Sequence, residues 1–299
     1  MSKQGHIRRY TLIIEKIRTK QYPSFDIIKD YLFDHGFEVS VRTIQRDIEQ
    51  IRYEFGIEIV YDRNRNGYFI DYDNSVNVES FFRFLEIVNT AELLTESLHD
   101  SKDALKYISF ENLGSLVGIE NLKPLLQAIK DKRTVSFTHH SFEKDVPNDY
   151  TISPYLLREY QNRWYLIGLF EDSGKSRTFG IDRITNLKVS TKTFKPDPKF
   201  NANELFDHVI GMVYSINKKE EVTLSFTPKQ GKYIKTLPLH RSQEIIIDND
   251  KELRITLDII PNYEFTQKIL MHGDTITVIK PKWLADEIKE TAERIAGKY

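Results

Sequence analysis

The chain has 299 residues, no cysteine, and 43 Lys and Arg against 44 Asp and Glu, a net charge of -1. This length exceeds one small core and points to three domains, while the missing cysteines remove disulfides, thiolate zinc sites and thiol nucleophiles together. Near-neutrality leaves no global field towards nucleic acid or anionic lipid, so any such binding has to come from locally segregated charge. No apolar run approaches the roughly 18 residues of a membrane span, and MSKQGHIRRY has no apolar secretion core, so the expectation is a cytoplasmic protein with no membrane partner.

Ile7, Tyr10, Ile14 and Ile17 fall at helical spacing, and Phe25, Ile28 and Leu32 repeat the pattern after Pro23-Ser24, predicting two short amphipathic helices. Gly36 ends the second, and Ser40 is placed to N-cap a third across a short link. In that third helix, SVRTIQRDIEQIRYEF, the apolar stripe is Ile44, Ile48, Ile51 and Phe55. Off the stripe lie Arg42, Thr43, Gln45, Arg46 and Glu49, mostly side chains able to bond base edges or phosphate oxygens. Next, IEIVYDRNRNGYFI reads as a hairpin with a type I′ turn at Asn66-Gly67 and with Arg63 and Arg65 near its tip.

Three helices followed by a basic-tipped hairpin resemble a winged helix-turn-helix over residues 1–72, implying Ser40, Arg42, Thr43, Gln45, Arg46, Arg63 and Arg65 as DNA contacts. The first 70 residues carry 12 Lys and Arg against 10 Asp and Glu, a net of only +2. Asp47 and Glu49 would repel phosphate if they faced it.

Residues 73–132 are expected to be a helical linker. Phe81, Phe82, Leu85, Val88, Leu94 and Leu98 form one apolar face, and a second helix near Ile119–Lys130 carries Leu122, Leu125, Leu126 and Ile129, to cover either a neighbouring sheet or a partner subunit. From Thr134 the period shifts towards two, predicting short strands in a small, strongly bent antiparallel sheet. In RWYLIGLF, alternation places Arg163, Tyr165, Ile167 and Leu169 on one face and Trp164, Leu166, Gly168 and Phe170 on the other. The next strand places Arg177, Phe179, Ile181 and Arg183 together. Guanidiniums gathered beside a phenol suit a phosphate-bearing ligand, because the planar fork pairs bidentately with phosphate and a phenol ring can stack on a base.

Trp164-Tyr165-Leu166, the SPYLLRE before it and the RTFGIDRI after it resemble the WYL domain, here residues 133–200. The resemblance implies an Sm-like, SH3-type β-barrel, commonly found behind a winged helix-turn-helix in bacterial transcriptional regulators. By position it implies effector contacts at Tyr155, Arg163, Tyr165, Arg177, Arg183 and His140. NANELFDHVIGMVY reads as a helical connector within residues 201–218. The β-α-β-β-α-β alternation over 219–299 suits a ferredoxin-like sandwich and resembles the extension that accompanies WYL domains, KTLPLHRSQEI being its most recognisable piece.

The expected fold class is therefore a multidomain α+β chain. No GxSxG, GxGxxG or phosphate-cradling glycine loop is present, no HExxH appears, and His139 and His140 alternate to opposite faces, so no catalytic site, metal or cofactor is expected. The function expected is a ligand-responsive transcriptional regulator, a homodimer on a double-stranded operator, with a nucleotide or oligonucleotide effector. Competing readings are a single-stranded nucleic-acid sensor without a specific operator, and a protein-interaction scaffold.

Overall fold

The computed structural model describes residues 3–20, 22–75, 78, 81–82, 85, 117–142, 145–214 and 218–299. The chain divides into two compact units, residues 1–111 and 112–299. In the described residues no helix is long and apolar enough to cross a membrane.

The first unit contains α1 (Lys3–Thr19), α2 (Phe25–Asp34), α3 (Val41–Phe55) and a hairpin of β1 (Ile59–Asp62) and β2 (Gly67–Ile70). Ser24 and Ser40 cap α2 and α3, accepting from the amides of Ile27 and Thr43. The stripes converge on one core, with Ile13, Ile14, Ile28, Leu32, Ile44 and Ile51 wholly buried. Ile7, a turn further out, stays 38% exposed. Val78, Phe81 and Leu85 join this core and Phe82 packs against it; Val88, Leu94 and Leu98 lie outside the described residues.

The hairpin departs from expectation at its turn. Asp62 pairs with Gly67, so the turn is Arg63–Asn66, with positive φ at Asn66 and not at Gly67. The Asp62 carboxylate accepts from the amides of Asn64 (2.8 Å) and Arg65 (3.1 Å), a local cap that sets a four-residue loop in place of a type I′ turn. Gly67 is required instead by close approach, because a Cβ there would collide with the Tyr22 backbone. The next amide, Tyr68 N, donates to Pro23 O at 3.0 Å and fastens the hairpin to the chain entering α2.

Among the described residues the second unit opens with a 3-10 turn (Ile119–Asn121) leading into α4 (Leu122–Lys130) and continues through β3 (Arg133–Ser141), β4 (Val146–Tyr160), β5 (Arg163–Leu169), β6 (Ser176–Gly180) and β7 (Ile184–Thr193). These strands form an antiparallel sheet ordered β6-β5-β4-β3-β7. The long β4 pairs with β3 through Ile152 and with β5 from Ser153 onwards, with an irregularity at Pro154/Leu156, so one strand serves both halves. A 3-10 turn at Ile181–Arg183 carries the chain directly from edge strand β6 to the opposite edge strand β7. A link of three residues can do this only if the sheet curls back on itself. Among the described residues no ladder joins β6 to β7, so the sheet is curled and open where a closed barrel was expected. Leu125 and Ala128 of α4 are buried with Val135, Phe137, Ile152, Leu166 and Phe179, so this helix covers the sheet; Leu126 is on its outer side.

The connector is not the expected helix. A single 3-10 turn, Glu204–Phe206, is followed by irregular chain. Ala202, Phe206, Val209 and Met212 turn inwards against Ile167, Tyr165 and Tyr155. The backbone polar groups that a helix would pair internally are bonded by the domain that follows. Asn262 Nδ2 donates to Ile210 O (3.0 Å) and Val213 O (2.6 Å), and Glu264 Oε2 accepts from Met212 N (2.6 Å) and Val213 N (2.7 Å).

That domain has β8 (Glu220–Phe226), α5 (Pro228–Thr236), β9 (Glu244–Asp248), β10 (Leu253–Ile259), α6 (Tyr263–Met271), β11 (Ile276–Lys280) and α7 (Lys282–Ala296). The antiparallel sheet order β11-β8-β10-β9 is that of a ferredoxin-like sandwich, with Val222, Leu224, Ile255, Leu257 and Phe265 in its core. β9 is an edge strand on which Ile245 and Ile246 are about half exposed.

Candidate nucleic-acid and effector sites

On α3, Arg42, Gln45 and Arg46 are exposed and make no side-chain hydrogen bond or ion pair among the described residues. With Ser40, Thr43 and Glu49 they line a hollow of about 480 Å³. The Ser40 and Thr43 hydroxyls lie 3.0 Å apart and Ser40 Oγ also accepts from Thr43 N, so their first task is the helix cap. Asp47 does not share this face. It is 1% exposed and receives the Arg9 guanidinium two-pronged, Nη2 to Oδ1 at 2.8 Å and Nε to Oδ2. The hydrogen bond to Asp47 raises the Arg9 pKa further above its ordinary value, against the opposing effect of burial. One of the two acids that would repel phosphate is thus withdrawn into the core and neutralised, a pairing between α1 and α3 that helical periodicity gave no means of seeing.

The two hairpin arginines differ. Arg65 stacks over the Tyr22 ring at 4.3 Å and lies 3.9 Å from Asp62, whereas Arg63 is exposed with no partner among the described residues. Arg52 near the end of α3 pairs with Glu58, the residue before β1, at 2.6 Å and donates to Ile59 O at 3.4 Å, which ties the helix to the strand.

The six effector candidates do not form one cluster, and strand register explains why. Tyr165 stands opposite Gly180, but Arg177 stands opposite Gly168, on the sheet face of Leu166 and Phe179. There Arg177 lies over the rings of Tyr150 (5.0 Å) and Phe179 (5.4 Å). Tyr155 shares the connector's apolar cluster with Tyr165 but is otherwise engaged: its ring packs against Phe194 and Phe200 and its hydroxyl accepts from Asp197 N at 2.9 Å.

Arg163, Tyr165 and Arg183 do gather. The 3-10 turn interrupts strand alternation and folds Asp182 and Arg183 back over Gly180, where a Cβ would come within 2.9 Å of Arg183 Nη2. Asp182 lies 3.9 Å from Arg163 and 3.8 Å from Arg183. Burial raises the Tyr165 pKa, with the charge of Arg163 the largest opposing influence. Arg183 also stacks on Phe142 at 4.5 Å and, with His140, Thr138, Pro147, Asp182, Thr185 and Val117, lines an open hollow of about 460 Å³. His140 Nε2 is 3.5 Å from Asp145. This hollow can take an anion against the guanidinium and a flat group against the phenyl ring.

Two neighbours were not assigned to the site by the sequence reading. Arg158 pairs in register with Tyr165, stacks over Phe206 at 4.2 Å and has its pKa lowered by burial; the signal was present in SPYLLRE but needed the register. His139 is 3% exposed, lies edge-on to Tyr150 and Phe179, and is held to a pKa of about 4 by burial and then by Arg183 and Arg177. Among the described residues no group of three or more His, Asp or Glu is placed to hold a metal ion.

Residues 120–189 match the WYL domain family and residues 218–296 the WCX domain family. No curated protein matches the chain. Among solved structures, it is similar to proteasome accessory factor B/C (PafBC) of Arthrobacter aurescens, at 19% identity and a TM-score of 0.33 over 96% of this chain and 46% of that one. It is also similar to a CRISPR Cas-related protein, at 12% identity and a TM-score of 0.43 over 100% of this chain and 87% of that one. The chain therefore spans less than half the length of the PafBC chain. The two domain matches coincide with the curled sheet and with the sandwich that follows it, and on that ground the chain carries a WYL domain followed by a WCX domain.

Proposed function

We propose that the protein is a DNA-binding transcriptional regulator in which residues 1–72 act as a winged helix-turn-helix. In this reading α3 enters the major groove and the β1–β2 hairpin lies beside the backbone. The observation that carries it is the outer face of α3, where Arg42, Gln45 and Arg46 stand unpaired among the described residues while Asp47 is turned inwards. Arg and Gln can read guanine and adenine edges, and a protein of net charge -1 needs such a local face to hold a duplex. The chain acts as a homodimer on a pseudo-palindromic operator, with half-sites about 34 to 36 Å apart.

The WYL domain serves as the sensing module, taking an anionic, nucleotide-like effector in the hollow beside Arg183, Phe142 and His140. The effector changes operator affinity only to the extent that it binds the DNA-competent and incompetent arrangements differently.

Selection of the full-length protein on a randomised duplex library supplies the operator. Arg42→Ala and Arg46→Ala are then each expected to cost about 1 to 3 kcal/mol of operator affinity. Unchanged affinity in both variants removes α3 as the reading helix. Steeply salt-dependent binding without base preference would instead favour the single-stranded sensor.

A further inference from the structure

The Arg9–Asp47 pair joins α1 to the middle of α3 through a core whose other described buried side chains, Thr11 apart, are aliphatic and aromatic. Arg9 is 0% and Asp47 1% exposed, and both prongs of the guanidinium are engaged. Removing two charges from water costs about as much as their attraction returns, so an apolar pair of similar volume would hold the helices together equally well. What an apolar pair would not supply is direction. The α3 stripe of Ile44, Ile48 and Ile51 packs through non-directional contacts, which tolerate small rotations and slips, whereas a two-pronged guanidinium–carboxylate contact has one geometry.

Asp47 follows Arg46 directly and lies one turn after Thr43. At 100° per residue, fixing the azimuth of Asp47 fixes where Arg42, Gln45, Arg46 and Glu49 point. We infer that Arg9 and Asp47 are positioning residues for operator discrimination: they set the rotation and axial register of α3 without touching DNA. This rests on the assignment of α3 as the reading helix.

The test compares wild-type full-length protein with the double variant Arg9→Met/Asp47→Leu. Readouts are thermal midpoint, base preferences selected from a random duplex library, affinity for the selected operator and for random duplex, and the salt slope of each. The expected result is a thermal midpoint within a few degrees of wild type, random-duplex affinity and salt slope unchanged, and an operator-to-random ratio reduced at least tenfold with blurred base preferences. A pair that only holds the helices together would leave the ratio alone, whatever the midpoint does.

A folded double variant that retains the ratio within twofold overturns the inference. If the double variant does not fold, Arg9→Lys, which keeps the charge and loses the fork, replaces it. The same loss of ratio at native helix content supports the inference, and an unchanged ratio overturns it. Wild-type protein without base preference means that the α3 assignment has failed, and the positioning role with it, a result distinct from a discriminating wild type matched by its variant.

Discussion

His139 shows how one side chain can make stability depend on pH. Enclosed with Tyr150 and Phe179, and with Arg177, Arg183, Asp182 and His140 as its charged or titratable neighbours, it is neutral in the fold down to a pKa of about 4, against an ordinary value of 6.5. Between those values the unfolded chain binds the extra proton, so stability rises with pH through this window and is lost as pH falls from 6.5 towards 4. The loss between pH 8 and pH 5 comes to about 2 kcal/mol. Urea unfolding of His139→Phe is expected to lack this part of the acid sensitivity; equal loss in both proteins would exclude His139 as its source.

Arg63 makes a second prediction at the same scale. An unpaired guanidinium at the hairpin tip suits a phosphate, so Arg63→Ala should weaken operator and random duplex alike and reduce the salt slope by about 1 per subunit. Fluorescence anisotropy between 50 and 200 mM salt measures this. Arg65, already stacked on Tyr22, should matter less to the slope and more to hairpin stability.

At the scale of elements, the connector between the curled sheet and the sandwich is the clearest case of side chains replacing secondary structure. Glu264 accepts two consecutive connector amides, and Glu264→Ala leaves both without that acceptor, at a cost of about 1 to 3 kcal/mol. Hydrogen exchange at Met212 and Val213 should accelerate in that variant, while exchange in β8 and β10 stays slow.

The same element marks the limit of reading from sequence. The helices of the first unit and of the sandwich and most strands could be placed because their apolar periods are local, and Ser40 could be named as a cap because its partner is three residues away. The connector's apolar spacing looked helical, but what decides its shape is Asn262 and Glu264, some fifty residues on. The effector candidates divided for a similar reason. Alternation within β5 and β6 was legible, but the pairing of Gly168 with Arg177, which sends that arginine to the far face, was not. The hairpin was placed, and only its turn was misjudged, because Gly67 serves a contact with Tyr22 rather than a positive φ.

For the whole molecule, net charge conceals how charge is used. The first 70 residues are close to balanced by count, and α3 carries Arg42, Arg46 and Arg52 against Asp47, Glu49 and Glu54; Arg9 takes Asp47 and Glu58 takes Arg52, which leaves the net charge of α3 unchanged but leaves Arg42 and Arg46 exposed on its outer face. A near-neutral chain can hold a duplex only through such a local face.

Edge strand β9 also bears on solubility. Two copies meeting antiparallel on this strand about Ile246 would pair isoleucines in the middle but would set Glu244 against Asp248 at both ends. Lys235, 2.9 Å from Asp248, would be shared or displaced. The acidic bookends thus discourage runaway sheet growth through the very strand whose greasy centre would otherwise invite it.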